Sequence, residues 1–269
     1  MPVKSVEKAL QMLETVAKEP DGITVREISE RLAFPYATTH RLLQTLRRMG
    51  YVEFVRSRKV YRIGSQLINL YRPAPHLVDL GRIAYPFLSR LSTDVKETVH
   101  LATRSGDEVV YLDTVLPQSS YVMYTPVGAR APLHSTALGK AMLAFSPDRE
   151  LHELFGRYKL EKLTPNTLCT IGGIWKEIEH IRRQGYAMDR EESTIGVRCV
   201  ASVVVNHMGY PVAAISVSTS AHRLATDEAV ETLSTMVCAA CRSVSRAIGG
   251  VLGPDPALWY REVTAGSPP

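Results

Sequence analysis

The chain has 269 residues, 45% hydrophobic and 22% charged, with 17 Gly and 16 Pro, a composition that excludes a disordered or collagen-like polymer. Its length suits two domains with separate cores, and no stretch approaches the roughly 20 apolar residues of a membrane span. The net charge of +5 is placed unevenly: residues 1–64 hold 12 Lys and Arg against 7 Asp and Glu, whereas the remainder holds 20 of each. Between residues 33 and 64 seven bases face one acid, Glu53. Such a concentration points to a polyanionic partner for the N-terminal segment, with a solvated charged surface as the alternative that composition leaves open. The first residues lack the apolar run of a secretory signal, and four cysteines suit reduced thiols in a cytoplasmic protein.

Val6, Leu10, Leu13, Val16 and Ala17 recur at helical spacing and predict a helix over 5–18, capped by Ser5. Pro20-Asp21-Gly22 ends it, and Thr24-Val25-Arg26-Glu27 then matches a capping box for a short helix that buries Ile28 and Leu32. A third helix is expected from Tyr36 or Ala37 to a C-cap at Gly50. At 100° per residue Leu42, Leu43, Leu46 and Met49 share one side, with Ala37, Arg41, Gln44 and Arg48 opposite and His40 and Arg47 on the flank. A face of bases and an amide suits a DNA major groove, where Arg pairs with guanine and Gln with adenine. Thr38 would meet a phosphate or a base edge, and Thr24 joins the contacting set. Two β-rich runs, 51–55 and 60–63, flank Arg56-Ser57-Arg58-Lys59 and predict a hairpin with a basic tip. Together these elements describe a winged helix-turn-helix domain over 1–64.

Residues 65–71 can form a linker helix that Pro73 and Pro75 interrupt. A fresh helix over 76–93 follows, with Leu77, Leu80, Ile83, Ala84, Phe87, Leu88 and Leu91 as its stripe. Strands are predicted at 97–103, 108–115, 120–126, 198–206 and 211–219. Helices are predicted at 134–145, 147–156 (Ser146 as cap, Pro147 as first residue), 173–184 and 227–248. The pattern gives an α+β domain over 76–253 with a mainly antiparallel sheet. The Pro-rich tail, 254–269, is expected to be loosely ordered.

Motifs in both halves carry a resemblance. Ser5-Val6-Glu7-Lys8-Ala9-Leu10, Pro35-Tyr36-Ala37-Thr38-Thr39-His40-Arg41-Leu42-Leu43-Gln44-Thr45-Leu46 and Gly50-Tyr51-Val52 come first. Leu133-His134-Ser135-Thr136-Ala137-Leu138-Gly139-Lys140-Ala141, Gly185-Tyr186-Ala187-Met188-Asp189-Arg190-Glu191-Glu192 and Gly196-Val197-Arg198-Cys199-Val200-Ala201 follow. In this order they resemble the IclR (isocitrate lyase regulator) family of bacterial transcription factors over about residues 5–250. The resemblance implies a GAF-like fold for the second domain, assembly as a dimer or dimer of dimers, and a longer linker helix than the Arg72-Pro73-Ala74-Pro75 break allows here.

No catalytic, metal or cofactor motif survives inspection. Gly139-Lys140-Ala141 lacks the remaining residues of a phosphate-binding loop. The CxxC spacing of Cys238 and Cys241 falls among Leu233, Val237 and Val244 in the last helix, and reads as a buried face rather than a zinc site needing four ligands. A ligand site is the stronger expectation. Ala137, Leu138 and Gly139 open a helix whose free amides favour an anion such as a carboxylate. Cys199, Asp189 and the same-face pair Ser216 and Ser218 supply polar groups, and the resemblance places all of these in an effector pocket. Val197, Met123 and Tyr124 are expected as apolar walls. The sequence therefore reads as a transcriptional regulator that binds double-stranded operator DNA and responds to a small molecule, with repression and activation both open. Two other readings remain: an enzyme with Cys199 as nucleophile, and an architectural protein that binds DNA without sequence preference.

Overall fold

The computed structural model describes residues 2–67, 75–117 and 124–253, with side chains from residue 80 onward in the helix that begins at Pro75. Two compact units divide the chain, Met1–Val78 and Asp79–Pro269.

In the first unit α1 (Lys4–Ala17), α2 (Val25–Arg31) and α3 (Tyr36–Arg48) precede an antiparallel hairpin of β1 (Val52–Val55) and β2 (Val60–Ile63). Its core gathers Met12, Val16, Ile23, Ile28, Leu43, Leu46, Val52 and Tyr61. The face that α1 buries differs from the expected one: Met12 and Val16 are buried, while Val6, Leu10 and Ala17 are exposed. Leu10 lies about 160° around the helix from Met12, so both cannot face one core. The N-cap is Val3, without a side-chain bond, and Ser5 lies inside the helix. The capping box of α2 forms as expected. Gly50, at φ +80°, closes α3 as expected, with its N–H on the Arg47 carbonyl. Met49 sits past the last helical turn and is exposed, and the buried stripe runs instead through Thr39, Leu43 and Leu46. The Thr39 hydroxyl is satisfied by the Pro35 carbonyl at 3.3 Å.

The helix α4 (Pro75–Val95) begins in the last residues of the first unit and continues into the second, and Pro75 starts it, where its missing N–H costs nothing. Residues 68–74, which carry most of the expected linker, lie outside the described residues. A six-stranded antiparallel sheet follows in the order β5-β4-β3-β8-β7-β6. Its strands are β3 (Thr98–Ser105), β4 (Glu108–Val115), β5 (Arg130–Pro132), β6 (Ala187–Arg190), β7 (Val197–Val205) and β8 (Pro211–Ser220). Alternation along β7 sends Ala201, Val203 and Val205 to one face and Val200 and Val204 to the other. On the first face pack α5 (Ala137–Phe145), α6 (Asp148–Phe155) and α7 (Ile171–Gln184). On the second pack α4 and α8 (Asp227–Ala247).

Three boundaries depart from expectation. Residues 124–126 are not strand (118–123 lie outside the described residues), and the edge strand is β5, reached through a turn at Gly128 with φ +84°. The helix expected from 134 begins at Ala137, because Thr136 caps it by accepting the Gly139 N–H at 3.0 Å. Pro147 is the N-cap of α6 rather than its first residue, and the Ser146 hydroxyl donates back to the Met142 carbonyl. The short β6 had no counterpart among the predicted strands. The tail from 254 lies outside the described residues.

Candidate functional site

On the first unit Ala37, His40, Arg41, Arg47 and Arg48 are exposed along α3 and Thr38 is half-buried. Arg41 and Arg48 form no ion pair among the described residues, so their guanidinium groups are free to meet a ligand. Arg47 lies over the Phe54 ring at 5.8 Å, a cation–π contact that anchors the hairpin to α3. Two of the expected contact residues are engaged within the unit. Gln44 is half-buried, and its amide nitrogen donates to the Tyr61 hydroxyl at 3.1 Å, which turns that group toward β2 instead of an open groove. Thr24 is consumed by its own cap: its N–H and hydroxyl donate to Glu27 Oε2 at 2.8 and 2.7 Å. Those bonds hold the Glu27 carboxyl below its ordinary pKa. At the hairpin tip Arg56, Arg58 and Lys59 are exposed, with Arg58 3.5 Å from Asp21. Tyr36, which sequence reasoning left out, is exposed at the start of α3 and stacks on His40.

On the second unit a cavity of about 270 Å³ lies between the sheet and the N-terminus of α5. Strand register explains its floor: His100 on β3 pairs with Ser216 on β8, Ser218 pairs with Cys199 on β7, and Cys199 pairs with Asp189 on β6. Paired residues share a face, so four neighbouring strands present one polar row. Ala137, Leu138, Asp189, Val197, Cys199, Ser216, Ser218 and Tyr124 all line the cavity as expected. Gly139 does not line it: a Cβ there would stand 2.2 Å from the Leu133 carbonyl oxygen, so glycine is required for backbone packing. Met123 lies outside the described residues. His100, Tyr111, Thr125, Thr136, Ser193 and Thr194 join the lining without having been anticipated. Only cross-strand register brings His100 and Tyr111 there, and a single strand's sequence does not contain it.

Among the described residues the lining includes no Lys or Arg. Its donors are hydroxyls and the first-turn amides of α5, which have no intrahelical acceptor. Asp189 Oδ1 accepts from the Glu192 and Ser193 N–H groups at 2.7 and 3.3 Å. Burial nevertheless pushes the Asp189 carboxyl up to about 6. Glu192 is held in turn by Lys140, a fully buried ammonium 2.5 Å from Glu192 Oε1 and 3.2 Å from Glu177 Oε1. Burial also pushes the Cys199 thiol up to about 12, so it stays protonated at neutral pH and is a poor nucleophile. Cys238 and Cys241 are free, buried thiols.

The IclR helix-turn-helix domain family matches residues 5–56, and the bacterial transcriptional regulator IclR C-terminal family matches residues 74–246. The chain belongs to the IclR family. IclR relatives include the HTH-type transcriptional regulator XynR of Escherichia coli, 33% identical over 82% of this chain and 88% of its own length. The HTH-type transcriptional repressor AllR of the same species is 32% identical over 91% of this chain and 90% of its own. The crystal structure of the Thermotoga maritima IclR superposes with a TM-score of 0.75 at 33% identity, covering 91% of this chain and 99% of that one. An IclR homologue from Microbacterium hydrocarbonoxydans, complexed with 4-hydroxybenzoate, has a TM-score of 0.78 at 21% identity, covers 91% and 98% of the two chains, and shares the fold. This IclR-family chain is a DNA-binding transcriptional regulator and not an enzyme.

Proposed function

We propose that residues 1–64 read an operator and that residues 76–253, a GAF-like unit, bind a small carboxylate that modulates operator affinity. Thr38, His40, Arg41 and Arg48, with Ala37 and Tyr36 beside them, form the groove-facing surface of α3, and Arg56, Arg58 and Lys59 meet the backbone from the wing. One winged unit reads one half-site, so the protein acts in the cytoplasm as a dimer, or dimer of dimers, on a pseudo-palindrome. The exposed apolar residues Val6 and Leu10 on α1, with Val3 at its N-cap, supply a surface for self-association.

The effector reading is carried by one observation: the first turn of α5 opens into a cavity that has backbone amides and hydroxyls but, among the described residues, no Lys or Arg side chain. An anion of one charge suits such a site, because the helix terminus supplies roughly half an elementary charge and directed N–H groups. The 4-hydroxybenzoate complex of the Microbacterium relative fits this ligand class. Thermal-shift measurement of the full-length protein against small carboxylates tests it. Ligands at a hundred times their Kd stabilise by about 2.7 kcal/mol, and the same compounds should change operator retardation in a gel. A panel that shifts neither melting nor retardation sinks the reading.

A further inference from the structure

His100 sits on the floor of the cavity with 2% of its surface exposed, and its two ring nitrogens are in different situations. Nδ1 lies 3.1 Å from the Thr114 hydroxyl oxygen. That hydroxyl has one proton, and it points at the Thr125 carbonyl oxygen 2.8 Å away, which can only accept. Thr114 therefore accepts from His100, and Nδ1 carries the ring's proton. Among the described residues Nε2 has no hydrogen-bond partner and is left as a bare lone pair. A second acceptor shares its situation: Asp189 Oδ1 takes two backbone N–H groups, while Oδ2 has no hydrogen-bond partner among the described residues. Register places Asp189 three strands away from His100.

Two unmatched acceptors facing one cavity ask something of its occupant. A buried acceptor without a donor costs its full desolvation. A plain carboxylate satisfies the α5 amides but brings acceptors alone, and leaves Nε2 and Oδ2 unpaired. A ligand that also carries hydroxyl groups donates to them.

We propose that the effector is a hydroxylated carboxylate and that His100 determines specificity by accepting a hydrogen bond from a hydroxyl remote from the carboxylate. The proposal rests on the carboxylate reading above and adds the residue that selects among carboxylates. Burial, which pushes the His100 imidazole down to about 4, keeps the ring neutral and Nε2 an acceptor at physiological pH. Ser216 pairs with His100 across the strands and offers a hydroxyl that can turn either way, so it adapts to the ligand without choosing it. The selectivity is asymmetric in the way buried polar sites are: an analogue lacking the hydroxyl loses its own bond and strands the protein's acceptor as well.

The test uses full-length protein and matched pairs: 5-hydroxypentanoate against pentanoate, gluconate against hexanoate, and 4-hydroxybenzoate against benzoate. Affinities come from thermal shift and calorimetry. The expected result is that the hydroxylated member of at least one pair binds, with its deoxy partner weaker on the order of tenfold. H100F should bring the two members to equal, weak affinity, and H100Q, which places an amide oxygen near the Nε2 position, should restore part of the preference. Should H100F not fold, H100N carries the same expectation, since it still donates to Thr114 but presents no acceptor at that position. A preference that survives in these variants, or equal binding of both members in the wild type, overturns the role of His100 and leaves the carboxylate reading standing. Silence from all six compounds overturns both.

Discussion

Asp189 holds the most consequential charge in the cavity. Its carboxyl titrates at about 6 in the folded protein, against 3.8 for the unperturbed group. A raised acid pKa means that the fold binds the proton more tightly than the unfolded chain does. The associated stability is therefore complete below pH 3.8 and is lost as pH rises through 6; above that, the buried carboxylate costs about 3 kcal/mol. D189N deletes the charge and keeps an oxygen for the Glu192 N–H. The variant should melt above wild type at neutral pH, with the gap closing as pH falls from about 7 toward 4. His100 works in the opposite direction, since its depressed pKa makes stability fall as pH drops from 6.5 toward 4, but it is common to both proteins and cancels in the difference. Thermal unfolding of the pair across this range provides the check, and a gap that does not vary with pH rules out Asp189 as the titrating group.

The wing puts Arg58 and Lys59 at the tip of a two-stranded ribbon, and its electrostatic role can be separated from folding. Arg58 is exposed and its 3.5 Å contact with Asp21 is a surface pair worth little. Lys59 has φ +54°, which asparagine adopts readily and alanine does not. Arg58→Gln with Lys59→Asn should leave melting unchanged and flatten the salt dependence of operator binding. Each phosphate contact contributes about 0.9 to the log–log slope, so losing two removes about 1.8 per winged unit. An unchanged slope places the wing off the DNA. This hairpin, the capping box at Thr24 and the glycine stop at Gly50 were legible in the sequence because each is decided within a few consecutive residues. The buried face of α1 was not, since Val6-Leu10-Leu13 and Met12-Val16 are both helical stripes and only packing chooses between them. In the second unit, the pocket residues that follow the α5 start or strand alternation were legible. His100, Tyr111 and the short β6 depend on which strands pair and in which register, which local pattern leaves undetermined. Gly139 was misplaced for a related reason: its constraint comes from Leu133 backbone packed against it, not from a ligand.

Across the whole molecule the chemistry is segregated: the excess positive charge belongs to residues 1–64, and the cavity, whose described lining holds no Lys or Arg, belongs to the second unit. Neither feature alone makes a regulator. A ligand in the cavity changes operator affinity only if it binds DNA-competent and DNA-incompetent states of the protein with different strength. Coupling free energies of this kind are typically about 1–3 kcal/mol, or roughly 5- to 150-fold. Linkage then requires reciprocity: operator DNA must change the ligand's Kd by the same factor that the ligand changes the operator's. With an operator chosen by selection on the full-length protein, both Kd values can be measured with and without the other partner. The two ratios should agree and should differ from one by at least about fivefold. D189N should alter the ligand's Kd on free and DNA-bound protein, while leaving operator affinity without ligand near wild type, because Asp189 is in the unit that carries no excess charge. Ligand binding that is tight yet identical on free and DNA-bound protein would mean the cavity is occupied without consequence for the operator, and control by effector would have to be abandoned even though both sites were real.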